Sequence, residues 1–397
     1  MGEETLFKFR TLLYAFWRAC SYGVLFSYQK SCPRTNFVWG FFRGVILISE
    51  QDYMNLAFEM AEKGKYQTWT NPLVGAVIVK NNVVLAKGYH HQFGAAHAEI
   101  DALQHLDDLK QARGATMYAS LEPCSHFGKT PPCAKKLAEV GIKAVVVGQK
   151  DPNPLVAGRG LQILRDAGIE IKVLNQTGGL NVKYNFFYQH QRPYVNVKYA
   201  MTLDGKINQQ ANQRSIITGK EAYQDSQQLR AEYQAILVGE NTLKVDHPQL
   251  TVRQIAVYQQ PWRMVLIRDV DQLKVEDYAF FKTADPILLL TSSVTRRQWP
   301  SNVEVISDRW TPNKILTLLA KRGIQSVLVE GGSQIHAEFL ASGLVDEINV
   351  YLAPRIYGAT GLPAIFNPTQ LPYQSNAYQL VEKMELGPDM KFRLRRV

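Results

Sequence analysis

The 397-residue chain lacks long apolar runs and has few cysteines. No stretch of about 18 apolar residues occurs, which excludes an ordinary membrane-spanning helix. Its four cysteines are too few for a disulfide framework. No run of about five like charges is present, so a nucleic-acid-binding arm is not indicated. No Gly-x-Gly-x-x-Gly follows a predicted strand, and a Rossmann fingerprint is therefore absent.

The composition is that of a folded protein with excess positive charge. Hydrophobic residues make up 46% of the chain and charged residues 20%, which are values typical of globular domains. The length predicts two domains. A net charge of +10 and a pI of about 9.2 favour anionic ligands such as phosphates, nucleotides or nucleic acid.

Residues 1–49 differ from the rest of the chain. They hold twelve aromatic residues with Lys and Arg scattered among them, and no helical or strand period is visible. A signal peptide has a basic start followed by an apolar run, and this segment has neither. We expect an atypical extension that is translated upstream sequence, with the true start within residues 45–54. An amphipathic membrane anchor is the alternative.

Two short stretches carry the chemistry. The first is His-Ala-Glu, from His97 to Glu99, and the second contains Pro-Cys at Cys124 and ends at Cys133. One imidazole and two thiolates are three zinc ligands, and a set of three leaves the open position of a catalytic zinc. Glu99 is then free to act as the general acid/base, as in zinc-dependent base deaminases. The pattern predicts a hydrolytic deaminase with one Zn²⁺ per chain.

Local sequence supports this arrangement. His97 precedes a predicted helix over 98–106, and Cys133 opens another over 134–140 after two prolines. A thiol at a helix N-terminus has a lowered pKa, which suits a thiolate ligand. Both motifs therefore lie where strands turn into helices, the usual place for sites on α/β sheets.

Three other interpretations remain open at this point. A disulfide between Cys124 and Cys133 is one, although a cytosolic setting disfavours it. A zinc-stabilised scaffold without activity is another, and it needs a fourth protein ligand such as His126 or His90. The third is a nucleic-acid deaminase with a basic C-terminal binding module, which rests on the net charge alone.

Strands alternate with helices through both halves, which predicts α/β domains with layered sheets. Apolar runs at 76–79 and 83–86, joined by Asn-Asn, predict a hairpin. Near the C-terminal end a predicted strand leads through Gly-Gly into a helix at 335–341, an arrangement that lets backbone N–H groups bind an anion. An aromatic-rich segment marks the domain join. The predicted divisions are the extension 1–49, a deaminase domain 50–175, a linker 176–192 and a second domain 193–397.

The cysteine spacing and several longer motifs resemble the bifunctional riboflavin-biosynthesis deaminase-reductase family. Other base deaminases space these cysteines as Cys-x-x-Cys, whereas eight residues separate Cys124 from Cys133. The resemblance extends from about Asp52 to the C-terminus. In the deaminase half it is carried by residues 71–75, 88–90, 122–133 and 151–160. In the reductase half it is carried by residues 201–207, 237–242, 246–253 and 330–332.

The resemblance implies a cytidine-deaminase-like three-layer α/β/α domain followed by a dihydrofolate-reductase-like α/β domain. It implies zinc-dependent deamination of a diamino-hydroxy-pyrimidine that carries a phosphoribosylamino arm. NADPH-dependent reduction of the ribosyl arm to a ribityl arm follows. The expected partner is this small phosphorylated pyrimidine, with no nucleic acid and no membrane. A cytoplasmic homo-oligomer is expected.

The resemblance also implies roles for individual residues. In the deaminase half the substrate-binding residues would be Asn71, His126 and Lys129. In the reductase half they would be Lys198, Arg214, Arg230, Leu250, Arg253 and Glu330. NADPH would be bound by Met201, Ile216, Thr242, Asp246, Arg268, Gly332, Ser333, Gln334, Ile335, His336, Ala337 and Glu338. The chain departs from the usual family pattern in this predicted pocket, at Arg214, Ile216, His247 and Arg268.

Overall fold

The computed structural model describes residues 49–125, 132–210, 212–366 and 377–397. The N-terminal segment before residue 49, His126 and Lys129 lie outside these ranges, so their predictions stay as they are. Within the described ranges no helix is both long enough and apolar enough to cross a membrane. The elements below belong to one compact unit, Ile48–Val397.

The first half builds a five-stranded sheet with the strand order β2-β1-β3-β4-β5. Strand β1 is antiparallel to both of its neighbours, and β3, β4 and β5 run parallel. In chain order the elements are α1 (Glu50–Glu62), β1 (Gly75–Lys80), β2 (Val83–Tyr89), α2 (Ala98–Gln104), β3 (Thr116–Leu121), α3 (Cys133–Glu139), β4 (Ala144–Gln149), α4 (Arg159–Asp166) and β5 (Glu170–Val173).

Alternation along β1 divides this half into three layers. Val77 and Val79 pack with Met54 of α1 on one face. Ala76 and Ile78 pack on the other face with the residues of α2, α3 and α4. Because successive strand side chains point to opposite faces, one apolar strand serves both cores. The expected α/β/α arrangement is confirmed.

The turn of the β1–β2 hairpin explains why the sequence predicted this hairpin. Asn81 and Asn82 both adopt positive φ, 52° and 61°, and asparagine tolerates this conformation better than most residues. A two-residue turn of this kind matches the twist of the strands that it joins. The hairpin predicted from the Asn-Asn pair is confirmed, with each strand longer than predicted.

The segment predicted as a linker contains a helix, α5 (Val182–His190). Its Tyr184 hydroxyl donates to Asp151 of the first half at 2.9 Å, and its Phe186 ring packs edge-on against Tyr194 of the second half. The segment is therefore an ordered spacer with contacts on both sides. The domain boundaries themselves stay a prediction.

The second half builds a nine-stranded sheet with the order β11-β10-β9-β8-β12-β6-β13-β16-β15. In this order, the seven strands from β11 to β13 run parallel to one another. Strand β16 is antiparallel to both of its neighbours, β13 and β15. The elements are β6 (Tyr194–Thr202), β7 (Lys206–Asn208), α6 (Lys220–Ala231), β8 (Ala235–Gly239), α7 (Glu240–Asp246), β9 (Trp262–Ile267), β10 (Ile287–Thr291), β11 (Val303–Ser307), α8 (Pro312–Lys321), β12 (Ser326–Gly331), α9 (Ser333–Ala341), β13 (Glu347–Ala353), β14 (Leu362–Pro363), β15 (Tyr378–Leu386) and β16 (Asp389–Arg396).

The first half lies against the amino ends of these parallel strands. Gln234, just before β8, donates to the Trp69 carbonyl at 3.1 Å, and Gln325, just before β12, donates to the Thr70 carbonyl at 3.0 Å. Glu330 and the Gly-Gly turn of the predicted reductase site lie at the opposite, carboxyl end of β12. The two candidate sites are therefore separated by the length of β12, which is about 16 Å at 3.3 Å per residue.

An ion cluster also joins the halves. The Glu232 carboxylate contacts Lys65 Nζ at 2.8 Å and Lys183 Nζ at 3.1 Å. Burial opposes ionisation, but the two lysines outweigh it and hold the Glu232 pKa at about 2. A carboxyl whose pKa is lowered by folding stabilises the fold above its unfolded pKa and loses that contribution as the pH falls.

We therefore expect Glu232→Gln to lower the free energy of unfolding at neutral pH. The difference from wild type should shrink as the pH falls from 4.5, the ordinary value, towards 2. Urea unfolding at a series of pH values measures it. The exposed Glu276→Gln variant is the control and should match wild type throughout. A pH-independent difference for Glu232→Gln would assign its effect to packing instead of charge.

Candidate zinc centre and reductase site

The fold brings the three predicted zinc ligands together. His97 is the N-cap of α2, Cys124 follows β3, and Cys133 is the first residue of α3. Their ligand atoms all lie within 4.8 Å of one another, and His97 Nδ1 is 3.4 Å from Cys133 Sγ. The N-to-S edge of a tetrahedral zinc site is about 3.5 Å, given zinc bonds of about 2.0 and 2.3 Å. The donor set and its spacing therefore fit zinc.

Helix α3 contributes directly to the electrostatics of this site. The Cys133 backbone N–H donates to Cys124 Sγ at 3.3 Å. Hydrogen bonds from Cys133 and His97 outweigh burial and lower the pKa of the Cys124 thiol. A thiolate is the form of cysteine that binds metal, so the helix start favours the ligand state. The helix starts predicted at both motifs are confirmed, although Pro132 occupies the N-cap position instead of the first helical turn.

Glu99 is the second residue of α2 and lies in its first turn, beside the ligand cluster. Its side chain is 2% exposed, and its Oε2 atom has no hydrogen-bond partner among the described residues. Burial raises the pKa of this carboxyl to about 7. A buried carboxyl with an unused oxygen can accept and release a proton near neutral pH.

A buried carboxylate that sequence reasoning missed holds the Cys124 loop. Glu122 accepts four backbone N–H groups, from Asp151 at 3.3 Å, Gly158 at 2.9 Å, Gly160 at 3.1 Å and Leu161 at 3.3 Å. This clamp joins the end of β3 to the start of α4. Residues 151–160 resemble a family motif, but the sequence assigned them no role. The structure shows that backbone N–H groups of this segment donate hydrogen bonds to the Glu122 carboxylate.

Gly160 offers a test of the clamp. A Cβ at this position would collide with the Pro123 carbonyl oxygen, one residue before Cys124. We expect Gly160→Ala to lower the free energy of unfolding by about 1–3 kcal/mol, the usual cost of overpacking, and to weaken zinc retention. Arg165→Ala, on the exposed part of the same helix, is the control. Thermal unfolding and zinc content after dialysis measure both effects; an unchanged Gly160→Ala protein would contradict the close packing.

A cavity of about 450 Å³ opens beside the cluster. It is lined by His97, Glu99 and Cys124, by Asn71, and by Arg322 and Gln325 of the second half. Its polar wall is fixed by a short hydrogen-bond chain. His90 contacts the Ala96 carbonyl through Nδ1 at 2.9 Å and the Asn71 amide through Nε2 at 3.1 Å.

That chain also fixes the orientation of Asn71. A carbonyl only accepts, so the His90 proton is on Nδ1 and its Nε2 accepts from the Asn71 amide nitrogen. Burial lowers the His90 pKa, which keeps the ring neutral. The Asn71 amide oxygen is then available as an acceptor for a ring amine or N–H of a pyrimidine.

At the carboxyl end of β12, Glu330 forms a two-pronged ion pair with Arg230, with distances of 2.7 and 2.6 Å. Burial opposes ionisation of Glu330, but Arg230 and Lys198 together hold its pKa below the ordinary value. Burial lowers the pKa of Lys198. The Arg230 guanidinium fork is occupied by Glu330, and the Arg253 guanidinium donates to the Gln249 side chain at 2.9 Å.

The Gly-Gly turn has the form expected of a phosphate-binding turn. A Cβ on Gly332 would meet only the Thr242 hydroxyl, at 3.4 Å, so the backbone is open to a ligand there. Ser333 begins α9 immediately afterwards. His336 contacts the Ala364 carbonyl through Nδ1 at 3.0 Å, and its buried Nε2 has no partner in the described part of the chain. Open backbone at a helix start fits a dinucleotide phosphate.

The other predicted reductase residues are spread around this turn. Burial raises the pKa of Asp246, and the positive charge of Arg214 partly offsets that effect. Arg268 is 85% exposed on its side chain and pairs with Glu240, and Ile216 is 72% exposed. Leu250 is buried. Met201 lies on β6, and Gln334, Ile335, Ala337 and Glu338 lie on α9.

A three-layer domain with a His-Cys-Cys cluster beside a buried carboxylate defines a zinc-dependent deaminase, here joined to a second α/β domain in which a Gly-Gly turn leads from a strand into a helix. Family comparison agrees with both halves. Residues 48–149 match the cytidine and deoxycytidylate deaminase zinc-binding region, and residues 193–392 match the RibD C-terminal domain.

Whole-length relatives identify the combination. The riboflavin biosynthesis protein RibD of Bacillus amyloliquefaciens is 38% identical over 357 residues, which cover 86% of this chain and 95% of that protein. Escherichia coli RibD is 33% identical over 368 residues, covering 86% and 98%. The solved structure of Acinetobacter baumannii RibD superposes with a TM-score of 0.79 at 34% identity, covering 87% of this chain and 98% of that one.

The chain belongs to the RibD family of bifunctional riboflavin-biosynthesis enzymes. It is a deaminase and a reductase, with a zinc-binding deaminase domain and a reductase domain whose family uses NADPH. The resemblance read from the sequence is confirmed, and so is the order of the two domains.

Proposed function

We propose that His97, Cys124 and Cys133 hold one zinc ion, and that Glu99 carries the proton in hydrolytic deamination of the phosphorylated diaminopyrimidine. A zinc ion with three protein ligands supplies an acidified water at its remaining position. Asn71, oriented by His90, accepts a hydrogen bond from the ring and places the amine-bearing carbon. The fold supports this proposal, because the three ligand atoms cluster together and His97, Cys124 and Glu99 line one cavity.

The proton moves at Glu99 Oε2 in this proposal. The carboxylate accepts a proton as water adds to the ring carbon, and it delivers a proton to the amine, which leaves as ammonia. A buried carboxyl whose pKa is raised above its ordinary value is suited both to accepting and to releasing a proton. Burial of the side chain keeps bulk water from competing for that proton.

For the second step we propose that Gly332 and the start of α9, with Thr242, bind NADPH phosphate. Lys198, Arg253 and the Arg230–Glu330 pair contact the sugar-phosphate arm. The Arg230 guanidinium orients Glu330 instead of binding phosphate with its full fork. NADPH bound at this turn would supply the hydride for the reduction of the ribosyl arm to a ribityl arm.

The observation that most strongly supports the proposed deamination is the cluster of His97, Cys124 and Cys133 ligand atoms beside Glu99. Mass analysis of products from the phosphorylated diaminopyrimidine, with and without NADPH, tests both halves. Without NADPH we expect the deaminated product and ammonia, and with NADPH the ribityl product. Unchanged substrate under both conditions would contradict the proposal.

We also propose the substrate class, the oligomeric state and the domain limits of the enzyme. The substrate is a small molecule and not nucleic acid, since the scattered charge offers no continuous basic tract. A cytoplasmic homo-oligomer, and the domain limits 50–175 and 193–397, are part of the proposal as well. Sedimentation of the purified chain measures the oligomeric state.

A further inference from the structure

The turn between α8 and β12 of the reductase half reaches the deaminase cavity. Arg322 and Gln325 of this turn line the cavity that also holds His97 and Glu99. Two hydrogen bonds fix the turn in place. Gln325 donates from its side chain to Thr70, the neighbour of Asn71, and from its backbone to the Gln234 side chain at 2.7 Å.

The charges of the cavity single out Arg322. Among the described residues that line it, Arg322 is the sole lysine or arginine. His90 does not add a positive charge, because its Nδ1 donates to the Ala96 carbonyl and its Nε2 accepts from the Asn71 amide nitrogen. Glu99, Glu122 and Asp151 are all acidic. A substrate that carries a phosphate monoester would meet unfavourable charge there unless a cation balances it.

The Arg322 guanidinium pairs with a carboxylate but keeps donors that an anion could use. It forms a two-pronged pair with Glu304, with distances of 2.7 and 2.6 Å, and lies over the Trp262 ring at 5.5 Å. Its side chain is 23% exposed. The pair with Glu304 uses one N–H of each terminal nitrogen, and a guanidinium has further donors that suit phosphate oxygens.

We propose that Arg322, a residue of the reductase half, binds the phosphate of the deaminase substrate in the zinc cavity. The inference rests on the proposed function, since it assigns the binding of that substrate. It makes the second domain a determinant of deaminase specificity. The reductase half then supplies an anion-binding residue to the deaminase site in addition to its own active site.

The test compares two substrates in the full-length enzyme. For Arg322→Gln we expect kcat/KM for deamination of the phosphorylated pyrimidine to fall roughly 10- to 100-fold, the usual value of a charged hydrogen bond. The loss should be in KM. The dephosphorylated ribosylamino analogue should show the same kcat/KM in variant and wild type. Arg322→Lys should recover part of the loss, and the exposed neighbour variant Lys321→Gln should change neither value.

Glu304→Gln gives an independent result of opposite sign. It leaves Arg322 in place and removes the carboxylate that competes for it, so KM for the phosphorylated substrate should fall. A rise in that KM would overturn the inference. So would an Arg322→Gln enzyme that loses both substrates equally, or neither, or that no longer reduces supplied deaminated intermediate at the wild-type rate. A wild-type enzyme that does not deaminate the phosphorylated pyrimidine would defeat the proposed function and this inference together.

Discussion

Replacing Glu99 with glutamine is expected to abolish deamination while zinc stays bound. Glutamine fills nearly the same space, but it cannot accept a proton at the position of Oε2. The loss of a general acid/base lowers turnover roughly 100- to 10,000-fold. Because Glu99 is not one of the three clustered ligands, metal content should remain at one zinc per chain.

The matching measurement is ammonia release from the phosphorylated diaminopyrimidine, with zinc content determined on the same sample. Reduction of supplied deaminated intermediate with NADPH is the control, and Glu99→Gln should perform it at the wild-type rate. Wild-type ammonia release by Glu99→Gln would show that the proton travels by another route. Loss of zinc from the variant would instead make Glu99 a ligand.

The second large effect is expected for Glu330→Gln in the reductase half. This change leaves the Arg230 charge without its carboxylate, although both side chains are largely buried. Breaking a buried pair on one side costs about 3–5 kcal/mol. The variant should therefore be less stable and lose NADPH-dependent reduction. It should still release ammonia, since the deaminase cavity lies at the other end of β12.

An exposed pair provides the control for stability. Lys314 and Asp308 are 2.7 Å apart, and both are close to half exposed. Asp308→Asn should change the free energy of unfolding by less than about 1 kcal/mol, as is usual for surface pairs. Urea unfolding of the two variants measures the contrast. Equal small losses in both would mean that Glu330 and Arg230 are hydrated in solution, and retained reduction in Glu330→Gln would remove Glu330 from the site.

Local signals predicted much of the fold and the metal cluster. The helix starts at His97 and Cys133, and the Asn-Asn hairpin, depend on neighbouring residues, so the sequence shows them. Helix α5 was missed because its residues, mostly polar and aromatic, have no apolar period, and only Tyr184 is buried. Contacts on both sides keep that segment ordered, and a sequence pattern does not reveal them.

Long-range polar contacts were the other gap. Glu122 is bound by backbone N–H groups some 29 to 39 residues away, and backbone donors leave no residue signature. The only signal was a glycine, Gly160, whose close approach to Pro123 forbids a side chain. Arg230 and Glu330 are 100 residues apart in the chain. The sequence therefore could not show whether they pair with each other or each contact the substrate independently.

X-ray absorption spectroscopy of the purified zinc enzyme tests the central claim most directly. We expect one zinc per chain, bound by two sulfur atoms at about 2.3 Å and by one imidazole nitrogen at about 2.0 Å, with a light-atom ligand from solvent completing the shell. Cys133→Ala should lose the metal. A zinc with four protein ligands, or a disulfide between Cys124 and Cys133 in the active enzyme, would contradict it.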